Sequence, residues 1–140
     1  MTPQGTILLA EDDDSDIRLV KFAFEEAQVR NPLRVVRNGQ EAIDYLSGEG
    51  IYAGRDAYPL PALMLLDLKL PLRDGFEVLA WCQEHKGLHG LRVIVMSSSH
   101  DQSDIKMAMA LGAVAYRVKP ADFGYLVGVA RELRDHWLKP

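Results

Sequence analysis

The chain has 140 residues, 48% of them hydrophobic, with 16 basic against 20 acidic side chains and a formal net charge of -4, a profile that supports one sizeable core and one domain. A sequence pI near 5.5 and the lack of any block of Lys and Arg exclude the phosphate-neutralising surface of a nucleic-acid binder. Met1 to Thr6 hold no leader pattern and no apolar stretch is long enough for a membrane; the single Cys82, in an apparently helical segment, cannot form an internal disulfide, so an inert buried thiol in a reducing cytoplasm is expected.

Residues 6–10 are a continuous apolar run, the mark of a strand covered on both faces, and the run stops in Glu11, Asp12, Asp13 and Asp14. Four adjacent carboxylates are costly to gather unless something cationic balances them. Ser15 is expected to cap a helix whose apolar residues Ile17, Val20, Phe24 and Ala27 recur at three- and four-residue intervals. Residues 33–36 form a short strand between Asn31-Pro32 and Asn38-Gly39, and Ala42, Ile43 and Leu46 supply a helix face that Gly48 ends. From Ser47 to Pro61 neither period holds, which predicts a surface loop longer than most. Residues 63–71 are again apolar, interrupted by Asp67 and closed by Pro71. Asp67 then stands at a strand's carboxyl end, where open α/β sheets bind ligands. Asp is also common where a strand simply turns, and this stretch alone leaves both readings open. Asp74-Gly75 leads into a third helix over 76–82, closed by Gly87 to Gly90; residues 91–96 make a fourth strand that stops in Ser97-Ser98-Ser99. A fourth helix carries Ile105, Ala108, Met109 and Leu111 and ends at Gly112, a fifth strand over 114–118 stops in Lys119-Pro120, and Asp122 caps a last helix with Phe123, Leu126, Val127, Ala130, Leu133 and Trp137.

Strand and helix alternating five times predict a parallel five-stranded sheet with both faces covered and right-handed crossovers. Every strand then ends on one edge, which collects Glu11, Asp12, Asp67, Ser97 and Lys119. Hard carboxylate oxygens with room for water and phosphate oxygen suit Mg²⁺, and an ammonium beside them suits a phosphoryl group, with Asp67 as nucleophile.

An acidic pair after strand one, a strand-three Asp followed by Leu-Lys-Leu-Pro and Asp-Gly, a strand-four hydroxyl and a strand-five Lys-Pro together resemble the receiver domain of two-component response regulators. The resemblance spans essentially the whole chain, with 30 positions from Asp67 to Ser97 and 22 from Ser97 to Lys119. It implies a flavodoxin-like doubly wound sheet of order 2-1-3-4-5 with five helices. It implies too that Asp67 accepts phosphoryl from a histidine kinase, that Glu11, Asp12, Asp67 and the Lys69 backbone carbonyl hold Mg²⁺, that Lys119 pairs with phosphoryl oxygens, and that Ser97 and Tyr116 form the switch. The Lys119-Pro120 bond is then expected to be cis. Glu11 stands where Asp is more frequent, Lys69 where a small polar residue is common, and Ser97 where Thr is more usual.

The long loop, the Glu-Asp-Asp start and the single-domain length, with no output domain, look like the subgroup partnering phytochrome histidine kinases. That implies a signalling phosphoacceptor rather than an enzyme, a downstream protein partner, and a homodimer through the face of helix four, strand five and helix five, to which Tyr125, Leu126, Val129 and Trp137 add apolar surface. Two rivals are a magnesium-dependent aspartyl phosphohydrolase, which needs an acid where Lys69 stands, and a phosphate-independent module with a vestigial site. Asp122-Phe123-Gly124 reads as a cap followed by a core aromatic rather than a kinase tripeptide. His85, His89, His100 and His136 lack ligand spacing, and Asp13 and Asp14 read as solvated turn residues.

Overall fold

The computed structural model describes residues 5–85, 90–119 and 122–138. Strands β1 (Ile7–Ala10), β2 (Leu33–Val36), β3 (Leu63–Leu66), β4 (Arg92–Ser97) and β5 (Ala115–Val118) form one parallel sheet in the order β2-β1-β3-β4-β5. Helices α1 (Asp14–Glu26), α2 (Gly39–Ser47), α3 (Gly75–Glu84), α4 (Gln102–Ala110) and α5 (Phe123–Glu132) alternate with them, and α5 runs on as a π-helical turn, Leu133–Trp137. The flavodoxin-like fold of the sequence reading is the observed one. No described helix is long and apolar enough to cross a membrane.

Side chains alternate across a strand, and here both sets are apolar. Ile7, Leu9, Leu63, Leu65, Ile94 and Met96 pack with α1 and α5, whereas Leu8, Ala10, Met64, Leu66, Val93 and Val95 pack with α2, α3 and Ala108 of α4. Full burial of each such side chain contributes about 1.5–3 kcal/mol, so both layers are held firmly. Helices α1, α2, α3 and α5 start on side-chain caps: Asp13 accepts from the Asp16 N–H, Asn38 from Glu41, Asp74 from Glu77 and Asp122 from Gly124. The cap of α1 is therefore Asp13 and not Ser15, because the helix begins directly out of the acidic run.

Four further sequence expectations shift. The segment 47–61 is a pinned structure rather than a bare surface loop. It holds a 3₁₀ turn, Gly50–Tyr52, and buries Tyr52 against Tyr45 and Tyr58, with ring centroids 5.0 and 5.1 Å away. The Arg55 guanidinium donates to the carbonyls of Tyr45, Leu46 and Tyr58, satisfying orphan acceptors at the end of α2. Second, Leu126 and Val129 are buried in the α1–α5 layer and Trp137 packs against it, leaving Tyr125 as the exposed member of that group. Third, Met109 and Val114 are exposed, and β5 begins at Ala115. Fourth, Phe123 is exposed rather than a core aromatic. The expected cis Lys119-Pro120 bond, Gly87 and His89 lie outside the described residues.

Candidate functional site

The strand order reverses direction between β1 and β3, so the loops that leave these neighbours diverge and open a cleft at the carboxyl edge. The Asp67 N–H donates to the Ala10 carbonyl at 3.1 Å, and the Glu11 N–H to the Val36 carbonyl at 3.0 Å. These bonds extend the ladder by one residue and set the acids side by side just past the strands. Glu11 and Asp67 are 3% and 6% exposed, and Asp12 is open to solvent. One carboxylate oxygen from each of the three lies within 4.8 Å of the others. Close packing fixes the loop after Asp67. Gly75 starts α3 against it, and a Cβ there would stand 2.6 Å from the Asp67 carbonyl oxygen, so the approach requires glycine.

Lys119 reaches the cluster from β5, whose end is held to β4 by its own N–H donating to the Ser97 carbonyl at 2.8 Å. Its Nζ lies 2.7 Å from Glu11 Oε1, 3.0 Å from Asp67 Oδ2 and 2.9 Å from Asp16 Oδ2. Burial pulls the lysine toward its neutral form, but the hydrogen bonds to Asp16 and Glu11 and the charge of Asp67 outweigh it, and the Lys119 pKa is raised. Burial is also the largest influence on Glu11. It keeps this carboxyl above the usual range although Lys119 and the Asp13 N–H both favour its charged form. A buried carboxylate with one ammonium shared among three acids still lacks balancing charge.

The Lys69 N–H donates to Asp67 Oδ1 at 3.2 Å while its side chain is exposed, so the backbone at 69 runs beside the acid and its ammonium faces solvent. Ser97 is fully buried, and its Oγ accepts the Ser99 N–H at 3.2 Å. Tyr116 donates its hydroxyl to the Ser99 carbonyl at 2.7 Å. Ser97 and Tyr116 thus hold the two sides of one peptide residue, and the Ser99 hydroxyl donates to Asp104 in the first turn of α4. A cavity of about 40 Å³ lies behind the cleft, lined by Asp16, Leu19, Val20, Met96, Lys119 and Leu126 among others.

The structure brings Glu11, Asp12, Asp67 and Lys119 together, and places Ser97 at the end of β4 and Tyr116 on β5, both bonded to Ser99 in the β4–α4 connection. Asp13 caps α1, and Asp14 pairs with Arg37 on the surface. Burial pushes the Cys82 thiol up to about 11, which keeps it protonated and unreactive. His85 stacks on Trp81, while His100 and His136 are exposed. Sequence reasoning missed Asp16. Its signal was a further acid in the first turn after the acidic run, but which side of α1 faces Lys119 depends on how Ile17 and Val20 dock on the sheet.

A doubly wound 2-1-3-4-5 sheet with clustered acids and a lysine on its carboxyl edge is the arrangement of a signal-receiving module. The chain belongs to the response regulator receiver domain family, matched over residues 7–131. Response regulator Rcp1 of Synechocystis sp. is 32% identical over 137 residues, covering 98% of this chain and 91% of its own. The response regulator RPA3017 in red light signalling of R. palustris is 35% identical with a TM-score of 0.90, covering 99% of this chain and 95% of that one. The phosphorylated cyanobacterial phytochrome response regulator RcpA is 36% identical with a TM-score of 0.88, covering 97% and 95%. Rcp1 has also been solved in a Mn²⁺-bound form, with a TM-score of 0.84 and 32% identity over 96% of this chain and 95% of that one. The protein is thus a response regulator receiver related to phytochrome response regulators.

Proposed function

We propose that this receiver takes a phosphoryl group on Asp67 from a histidine kinase and answers by rearranging its α4–β5–α5 face. The observation that carries the reading is the contact of Lys119 Nζ with Asp67 Oδ2 at 3.0 Å inside a cluster of three carboxylates. An Asp67 carboxylate oxygen attacks the phosphorus of a phosphohistidine in line. A P–O bond forms as the P–N bond breaks, and the imidazole leaves with the electron pair. Lys119 stays near Asp67 and pairs with the phosphoryl oxygens, charge stabilisation that such a transfer depends on.

The donor set fits a hard divalent cation: Glu11, Asp12 and Asp67 offer converging oxygens, two of them buried, and the Lys69 carbonyl is the proposed fourth protein ligand. When bound, Mg²⁺ neutralises charge on the phosphoryl oxygens. The Ser97 hydroxyl then leaves the Ser99 N–H for a phosphoryl oxygen, Tyr116 loses its hold on the Ser99 carbonyl, and the N-terminal turn of α4 is released through Asp104. This is a population shift driven by bonds made only in the phosphorylated state. Exposed Met107, Met109 and Tyr125 on α4 and α5 offer that face to a second copy of the chain or to a downstream protein. The likeness to phytochrome response regulators points to a phytochrome histidine kinase as donor, acting in the cytoplasm. The role is that of a signalling phosphoacceptor that assists its own phosphorylation and dephosphorylation. The exposed Lys69 side chain, where a hydrolase would need an acid, disfavours phosphoester turnover.

Intact-mass measurement after incubation with acetyl phosphate and Mg²⁺, or with a phosphorylated kinase, tests the reading. One added phosphoryl is expected on the wild type and none on Asp67→Asn. An unlabelled wild type beside a labelled kinase removes the proposal, and rapid turnover of small phosphoesters replaces it with a hydrolase.

A further inference from the structure

We infer that Asp16 is a positioning residue that holds the Lys119 ammonium when a divalent cation engages Glu11 and Asp67, and that it thereby sets how readily the carboxylate cluster takes up that cation. The inference rests on the metal-dependent reading above and assigns a residue outside the proposed acceptor and metal set. Lys119 has three carboxylate partners, of which Glu11 and Asp67 belong to the converging cluster and Asp16 does not. An ammonium and a divalent cation compete for the same two carboxylates, since each screens the other's attraction. Of the three partners, Asp16 alone remains free for the lysine once the other two turn to the metal.

Asp16 is built to stay in place. Its N–H donates to the Asp13 cap at 2.9 Å, and the next residue, Ile17, anchors α1 in the core. Its side chain is 37% exposed and stands outside the converging cluster. The cavity bordered by Asp16, Leu19 and Lys119 gives the end of the lysine room to tilt toward α1 without repacking. With Asn at position 16 the ammonium stays on Glu11 and Asp67 and opposes the cation.

Calorimetric titration of Mn²⁺ into the full chain tests this with a double-mutant cycle of wild type, Asp16→Asn, Lys119→Met and the double variant, each checked for a native circular dichroism melt. Asp16→Asn is expected to bind Mn²⁺ about fivefold more weakly than wild type, and Lys119→Met more tightly. In the Lys119→Met background, Asp16→Asn should change binding by less than about twofold. Asp16→Glu should restore most of the affinity. An equal loss in both backgrounds would show that Asp16 acts by its own field, and unchanged binding in Asp16→Asn would show that it does not act; either overturns the inference while leaving the phosphoacceptor reading intact. A wild type that neither binds Mn²⁺ nor takes phosphoryl from acetyl phosphate removes both.

Discussion

Ser97 is the fully buried hydroxyl at the end of β4, and its Oγ accepts the Ser99 N–H. Ser97→Ala therefore leaves a backbone donor without its acceptor, which costs about 1 kcal/mol, and urea denaturation should read that loss. The same variant should still gain phosphoryl on Asp67, because the nucleophile and Lys119 are untouched. The fluorescence or NMR signature of Tyr116 should then no longer respond to phosphorylation, since the step that frees the Ser99 peptide is missing. Asp67 and Lys119 were legible as residues because each stands where an apolar run stops, and a parallel sheet sends all such stops to one edge. Asp16 was not, because a helical residue's neighbours depend on the rotation of the helix, and that rotation is fixed by packing partners distant in sequence.

At the scale of elements, the connection between α2 and β3 behaves as part of the core. Three tyrosines pack there in tilted and edge-on contacts, Tyr45 donates its hydroxyl to the Pro59 carbonyl, and Tyr52 donates to Glu41. Burial, reinforced by Glu41, pushes Tyr52 up to about 12. Arg55 ties the end of α2 to this cluster through three carbonyls, so Arg55→Ala should cost about 1–2 kcal/mol in a urea titration with the slope of the transition unchanged. The sequence hid this because neither period marks a segment held by side-chain bonds to backbone. Some helix ends, by contrast, followed from caps and glycines, such as Asp122 before α5 and the left-handed Gly48 after α2. On α5 the sequence suggested spare apolar surface; Leu126 and Val129 are instead spent on α1, which crosses the same sheet face.

For the whole molecule, the proposed metal site links uptake to stability. A ligand that binds only the folded state adds stability by mass action, about 2.7 kcal/mol at a hundredfold excess over its Kd. Mg²⁺ at such a level should raise the Tm by roughly 5–10 °C in differential scanning calorimetry, and Asp12→Asn, which removes the charge of one converging carboxylate, should abolish most of the rise. The parallel sheet and both covered faces were legible as wholes because apolar strand runs and helix stripes agree on one arrangement, whereas the strand order was legible only through the family resemblance. The helices' rotations and the pinned connection required the packed molecule.

Lys119 lies 103 positions from Asp16 and 52 from Asp67. Contacts this distant in sequence form late and slowly, since the loops they close must be ordered first. A nascent chain that has not yet released β5 carries the acids of β1 and β3 without their ammonium. Like charges gathered at that edge should oppose its early collapse, and docking of β5 should reduce the repulsion. The ammonium that partly offsets the acids of the cleft therefore arrives only when β5 has docked.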